Sequence, residues 1–538
     1  MAVLIVLFVL GAALAVYSCK GLIIYWLEVA VSNAAGTRGK KNPWLEGSYA
    51  PVKQELLEAD LPVQGKLPAA LDGAYVRNGP NPLHQPIGGH HWFDGDGMLH
   101  AVRIKDGKAS YSNAYVQTSK YKQEKKAGRP LFFTLGAMER LSGVLIYMLQ
   151  QLKEKLGVVD TKDGHGPANT SVVFHNKQLL ALVETDLPQV VRVNNDAHIE
   201  TLERQTYGDQ LRSPFTAHPK IDPETGELHG IGYSFSKPLM HYYVIGSGGT
   251  VKLDIDIPLP DPVMMHDFAI TEDYAVFMDL PLMINQHDMI KGKPLVNFNE
   301  GRASRFGVLP KRCEDADKVR WSELPAMFAF HVANAWQEGN AIHLFACVYA
   351  EGFDFVNVSA GKDGSLPRLT EISLDLDSGK ASMRTVADVH CEFPTIPDRL
   401  VGRKTRYTYV VTYKYGGGFD RPYGLAKIDL AASSPAAAVP AQIGFGRGRF
   451  GGEAVFVPRS TDPAALKSED DGYLATYVYD EQTDSSEFMV YDACSFSAEP
   501  VARVKLPQRV PHGFHGKHIN AAQFQAQFPF DIHFLPDI

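Results

Sequence analysis

Short runs of alternating β-branched and aromatic residues, each closed by Gly, Asp, Ser or Asn, follow one another along nearly the whole chain. Val172–Thr185 (VVFHNKQLLALVET) reads as two strands around an Asn-Lys turn. His241–Ile257 has two such runs around Gly246–Gly249, and Ile372–Val386 and Tyr473–Ala493 repeat the form. Alternation bounded by turn residues is the signal of hairpins. Helical periodicity is scarce by contrast; its best case is Leu131–Leu156, where Leu141, Val144, Leu145, Met148, Leu149 and Leu152 recur at helical spacing. With 538 residues and 45% of them apolar, the hairpins can enclose one large all-β domain. No repeat of fixed period is visible, so periodicity alone does not demonstrate a propeller. The Pro-Ala stretch Ala431–Ala441 reads as a surface loop between hairpins.

The N-terminus departs from this pattern. Ala2–Cys19 carries no charge over eighteen residues, and after Lys20 a second apolar run continues to Glu28. About 20 apolar residues span a bilayer as a helix, so the length fits an anchor. A cleaved targeting peptide is the rival, although no Lys or Arg precedes the run. Lys20, Arg38, Lys40 and Lys41 follow it and would orient the remainder toward the cytoplasm, with a plastid as the other location. The expected division is 1–31 as anchor or targeting segment, 32–41 as linker and 42–538 as the folded domain.

Lys and Arg number 53 against 61 Asp and Glu, so no basic footprint points to nucleic acid. The five cysteines (Cys19, Cys313, Cys347, Cys391, Cys494) are scattered with no CxxC pair, against a disulfide framework or a thiolate zinc site. Histidine is abundant, at 19 residues. The chain lacks HExxH, a GxSxG elbow and a P-loop. A formal GxGxxG at Gly446–Gly452 has no helix after it to receive a phosphate, and His198-Ile199-Glu200 is a short HxE of the sort chance supplies. More telling are His218 in SPFTAHPK, His266 in MMHDFAIT, His331 in FAFHVANAW and His515 in VPHGFHGKH, each beside a strand-like run. Each alone reads as a hydrogen-bonded core histidine, and spacing does not bring the four together.

Taken with RNGPNP (Arg77–Pro82), HHWFDGDGMLHAVRI (His90–Ile104), GGEAVFVPR (Gly451–Arg459) and EDDGYL (Glu469–Leu474), these segments resemble, in content and order, the carotenoid cleavage dioxygenases. MMHDFAITEDYAVFMDLP followed by RFGVLP is most similar to the branch cleaving the 9,10 and 9′,10′ double bonds, while the double His of HHWFDGDGM is shared with 9-cis-epoxycarotenoid dioxygenases. The resemblance implies a seven-bladed β-propeller with a helical cap, and one Fe(II) on its axis held by His218, His266, His331 and His515. His512 falls outside the family's ligand position. It further implies three glutamates bonding the outer N–H of ligand imidazoles, at Glu184, Glu392 and Glu453, and a threonine near an open position, at Thr170. Imidazole suits Fe(II), and carboxylates behind the rings would offset the charge that neutral ligands leave.

The implied reaction is cleavage of a conjugated C=C bond of a carotenoid or apocarotenoid by O2 into two carbonyl products, with no haem, flavin or 2-oxoglutarate. Such a substrate resides in membranes, so Leu131–Leu156 reads either as an apolar patch for extraction or as a cap helix on the propeller. Two alternatives share the family. A stilbene-cleaving enzyme would use a Tyr and a Lys; Lys120 matches the Lys, but His90 stands at the Tyr position. An isomerohydrolase acting on retinyl esters fits less well around the membrane segment. A non-catalytic binding propeller is the alternative from another class, and the complete His and Glu set speaks against it.

Overall fold

The computed structural model describes residues 19–527, apart from positions 139, 236, 286–287, 289–290, 292–293, 350–352, 356–365 and 415–420. All paired strands among the described residues are antiparallel, as hairpins joined by short turns require. The four hairpins expected from alternation all form. At the Asn-Lys turn, Asn176 and Lys177 have φ of 49° and 60°, the paired left-handed conformation of a two-residue hairpin loop.

Strands follow sequence order within three sheets: Ser171–His175 to Ile199–Arg204, Lys220–Ile221 to Val251–Asp256, and seven strands from Phe328–Glu338 to Ala441–Gly444. A further four-stranded sheet contains Ala269–Ile270, Tyr274–Asp279, Ser304–Pro310 and Arg320–Leu324. The two remaining large sheets join both ends of the chain. Gly73–Asn81 pairs with Gly516–Asn520, and Val63–Gly65 pairs with Ala502–Lys505. These pairings lock late strands onto early ones, and none of the sheets closes into a barrel among the described residues.

The 15-residue strand Ala381–Thr395 serves two neighbours, pairing with Arg368–Asp375 on one stretch and Tyr407–Tyr413 on the next. Its register shifts between Glu392 and Thr395, and Phe393 has φ of 53°. A left-handed aromatic residue costs of order 1–3 kcal/mol, which surrounding contacts must offset. The bulge re-aims two adjacent side chains toward the centre of the molecule.

Four helices are described. Helix α1 covers residues 19–34, α2 Ser119–Ala127, α3 Arg140–Lys155 and α4 Ala521–Ala526. Helix α2 escaped the periodicity reading because its sequence, SKYKQEKKA, lacks an apolar stripe; Thr118 caps its start and Gly128, at φ 65°, ends it. Helix α3 begins nine residues later than its apolar pattern does. The Glu124 carboxylate accepts the backbone N–H groups of Leu131 and Phe132 and holds them in a loop.

The described residues do not support the N-terminal apolar helix expected from the sequence. The uncharged run 2–18 lies outside the described residues. In the described part, α1 buries Glu28, which is ion-paired with Lys153 of α3 at 2.7 Å. No helix among the described residues is long and apolar enough to cross a membrane.

Candidate metal centre

His331 lies on Phe328–Glu338, a strand whose first nine residues are all buried. His218 and His266 sit in loops just before strands Lys220–Ile221 and Ala269–Ile270, and His515 directly precedes Gly516–Asn520. Four distant segments thus deliver imidazoles to one place. Ligating nitrogens of His218, His266 and His331 all lie within 4.8 Å of one another, with His266 Nε2 and His331 Nε2 3.3 Å apart. The His515 ring centroid is 4.6 Å from that of His218 and 4.7 Å from that of His331. His512 is elsewhere, its ring 5.0 Å from that of Tyr49. His198 is exposed and Glu200 pairs with Arg192, so the HxE forms no such cluster.

Outer nitrogens of three rings meet carboxylates. His331 Nδ1 lies 2.6 Å from Glu392 Oε2, His515 Nδ1 lies 2.8 Å from Glu453 Oε1, and His266 Nδ1 contacts Glu184 Oε1. Such contacts orient a ring and leave its other nitrogen as a lone-pair donor. Each glutamate is itself held from behind. Tyr233 Oη donates to Glu184 Oε2, Tyr349 Oη lies 3.4 Å from Glu392 Oε1, and Gly516 N donates to Glu453 Oε2 at 2.8 Å. Among the described residues His218 has no carboxylate behind it, and its buried Nε2 has no hydrogen-bond partner. A buried imidazole nitrogen without a partner, facing two others, fits a cation better than it fits a packed core.

Electrostatics agree. Burial, followed by the neighbouring imidazoles, holds His218 and His331 well below the ordinary histidine range, so both are neutral donors at pH 7. Burial also lowers His266, but the Glu184 carboxylate overrides it and raises that ring. Burial pushes Glu392 up to about 8 in the metal-free protein. A divalent cation would reverse that penalty by supplying the missing positive charge.

Sequence reading missed the clamp that ties three of these segments together. Asp267, beside His266, pairs with Lys220, two residues past His218, at 2.7 Å, and accepts the backbone N–H of Val332, beside His331, at 2.8 Å. Tyr233 and Tyr349 carry no local signal, and Asp267, although it lies in the MMHDFAIT segment, shows its role only through its neighbours in space.

The centre opens into a cavity of about 650 Å3 whose wall includes His266, His331, His515, Thr170 and rings such as Phe93 and Phe393. Thr170 accepts the His515 backbone N–H at 3.2 Å, which fixes both next to the cavity. Lys120 also reaches the cavity, but its ammonium is held by Asp96 and Glu124, each at 2.8 Å.

Buried neutral histidines make stability acid-sensitive. Burial is the main cause that depresses His229 to about 4, His512 to about 3 and His518 to about 4. Below the unfolded value near ~6.5 the unfolded chain takes up protons that the folded chain refuses, so each group removes about 1.4 kcal/mol per pH unit. Glu392 has the opposite sign between its unfolded value near ~4.3 and about 8, so it offsets one of the three. Denaturant titrations of metal-free protein should therefore give a stability that declines steeply from pH 6.5 toward 4. A flat profile there would contradict the buried, neutral assignment.

Comparison with known proteins follows the same line. The family model described as retinal pigment epithelial membrane protein matches residues 49–520. A carotenoid 9,10(9′,10′)-cleavage dioxygenase of Pisum sativum is 43% identical over 500 residues, covering 90% of this chain and 92% of that protein. The chloroplastic 9-cis-epoxycarotenoid dioxygenase NCED6 of Arabidopsis thaliana is 36% identical, over 90% of this chain and 82% of its own. Among solved structures, lignostilbene dioxygenase of Pseudomonas brassicacearum superposes with a TM-score of 0.76 at 27% identity, over 88% of this chain and 98% of that one. A variant of Synechocystis apocarotenoid oxygenase gives 0.74 at 25%, over the same shares of the two chains, and a cobalt-substituted form of that enzyme is also similar.

Proposed function

The chain belongs to the carotenoid oxygenase family and is a carotenoid cleavage dioxygenase by that membership; from this premise we propose that its four converging histidines hold one Fe(II) that cleaves a carotenoid or apocarotenoid at the 9,10 or 9′,10′ bond. The observation that carries this is the meeting of His218, His266 and His331 nitrogens, with His515 against two of the rings, at the wall of an apolar cavity. Ferrous iron held by these four rings would supply O2 activation, the chemistry that oxidative cleavage of a conjugated C=C bond into two carbonyl products requires.

The protein's own groups do the rest. Glu184, Glu392 and Glu453 fix the tautomer and direction of His266, His331 and His515. Phe93 and Phe393 bound a dry slot in which a polyene lies and which excludes water from the reacting bond. Thr170 bounds the same space and anchors the His515 backbone. A seven-bladed propeller is the architecture we infer. Dividing the seven-stranded sheet at Ala381–Thr395 gives, with the other large sheets, seven units around the histidines, and three loops with one strand feed the axis.

Substrate delivery from a membrane surface is supported by an inversion of the usual helix pattern. On α3, Leu141, Leu145, Met148 and Leu152 form the exposed stripe, while Gln150 and Lys153 are buried; on α1, Leu22, Ile23, Trp26 and Leu27 are exposed and Glu28 is buried. Apolar stripes turned outward on two helices joined by a buried ion pair suit the apolar boundary of a bilayer. The double variant Leu145→Glu, Met148→Glu is expected to lose at least tenfold in co-sedimentation with lipid vesicles while cleaving detergent-dispersed substrate at the parent rate. Unchanged vesicle binding would remove α3 from that role. The chloroplastic name of a relative supports a plastid membrane as the location.

A stilbene substrate is less well supported. A substrate phenol would need Lys120, whose ammonium already serves two carboxylates, and His90 stands where a tyrosine partner would be needed. The deciding experiment is anaerobic Fe(II) reconstitution followed by mass analysis of products from carotenoids, apocarotenals and stilbenes. Paired carbonyl products from a carotenoid are expected. Cleavage of stilbenes alone would overturn the substrate reading, and full iron with no product from any substrate would favour a binding protein.

A further inference from the structure

Arg77 poses an electrostatic problem that the histidine and glutamate set answers. It lies on Gly73–Asn81, opposite Gly516 in the strand register and so next to the segment carrying His515. Its side chain is 3% exposed, and no carboxylate oxygen lies within 4.0 Å of it among the described residues. Its Nη2 donates to the Pro511 carbonyl, its Nε has no partner among the described residues, and its Cζ stands 5.1 Å from the Tyr477 ring centroid. A permanently charged guanidinium buried among rings and backbone costs several kcal/mol unless something compensates it. The nearby imidazoles do not: His100 and His512 are neutral, through burial first and the Arg77 charge second.

The guanidinium is wedged between the two segments that bring Glu453 and His515 to the centre. A Cβ placed on Gly452, beside Glu453, would sit 3.7 Å from Arg77 Nη1, and one on Gly513, two residues before His515, would sit 3.1 Å from Nε. The charges then balance. With iron bound and the imidazoles neutral as its ligands, the three carboxylates carry −3, the ferrous ion +2, and one buried positive charge makes the group neutral. Asp267 adds nothing, because Lys220 neutralises it.

We propose that Arg77 is the counter-charge of the metal centre, a positioning residue that touches neither substrate nor ligand nitrogen and that biases bound iron toward the ferrous state. The inference rests on the iron reading above. A fixed positive charge in a low-dielectric interior disfavours the further positive charge of Fe(III), and bulk salt cannot screen it there.

The test uses the iron-reconstituted full chain with Arg77→Met and Arg77→Gln, which remove the charge, and Arg77→Lys, which keeps it. The proposal expects both neutral variants to fold and to bind one iron, because a buried unpaired charge is not a stabilising element. It expects their Fe(III)/Fe(II) equilibrium to shift about tenfold toward ferric, or about 59 mV for one electron, with Arg77→Lys within threefold of the parent. An unmoved potential in iron-loaded Met and Gln variants would overturn it and leave Arg77 as a support for the Pro511 loop. Failure of both neutral variants to fold, with Arg77→Lys folded, would overturn it in favour of a purely structural role. Absence of iron from the parent would instead defeat the metal reading itself.

Discussion

His331→Ala should abolish metal binding and carotenoid cleavage together. The substitution removes the ring whose Nε2 lies 3.3 Å from that of His266. It also strands Glu392, a buried carboxylate whose Oε2 is 2.6 Å from His331 Nδ1. Breaking a buried pair of this sort costs about 3–5 kcal/mol, of which protonation of Glu392 recovers a part. We expect a folded protein with a lower thermal midpoint, iron content below about a tenth of stoichiometric, and turnover reduced by at least three orders of magnitude. Turnover near the parent level would take His331 out of the site. Iron retained at full stoichiometry with turnover lost would make it a substrate-positioning group instead.

Glu184→Ala carries the second large effect. Glu184 receives the phenol of Tyr233 on one oxygen and meets His266 Nδ1 with the other. Without it, His266 loses the contact that sets its tautomer, and the Tyr233 hydroxyl loses its acceptor. Loss of a carboxylate behind a metal-bound imidazole typically lowers metal affinity 10–100-fold, and competition with a chelator measures this directly. Tyr233→Phe, which leaves the carboxylate in place, should lose less than tenfold. Because the tyrosine acts through the glutamate, the double variant should be no worse than Glu184→Ala alone. Additive losses would mean that Tyr233 has a separate task.

These expectations depend on residues of two kinds, and only one kind was legible in the sequence. Hairpins were legible because alternation and turn residues are local: Asn176 and Lys177 mark a left-handed pair wherever they fall between strands. The histidines were visible as residues in distinctive settings, but their convergence was implied only by resemblance to a family, since no spacing rule joins positions 218 and 515. Asp267 and Arg77 stand inside segments that carry the resemblance, MMHDFAIT and RNGPNP, but their roles, like that of Tyr233, are not legible there. Asp267 matters because Lys220 and Val332 are its neighbours in space, and nothing within ten residues of it says so.

The helices show a different limit. An apolar stripe at helical spacing is ordinarily read as a core-facing stripe, and α3 has such a stripe. In the fold, Leu141, Leu145, Met148 and Leu152 face outward and Lys153 inward, because Glu28 of α1 gives that lysine a buried partner. Periodicity reports that a face exists, not which medium it meets. Similarly, the left-handed Phe393 and the register shift after Glu392 depend on two neighbouring strands at once, so propensity at those residues carries no sign of them.

Anomalous scattering at the iron edge from crystals of anaerobically reconstituted protein measures the arrangement on which all of this depends. One iron per chain should appear where the four rings meet, with nitrogens of His218, His266, His331 and His515 within about 0.2 Å of the ~2.0–2.1 Å that imidazole keeps on zinc. Iron bound elsewhere, or a peak there that any of the four rings fails to reach, would contradict the account.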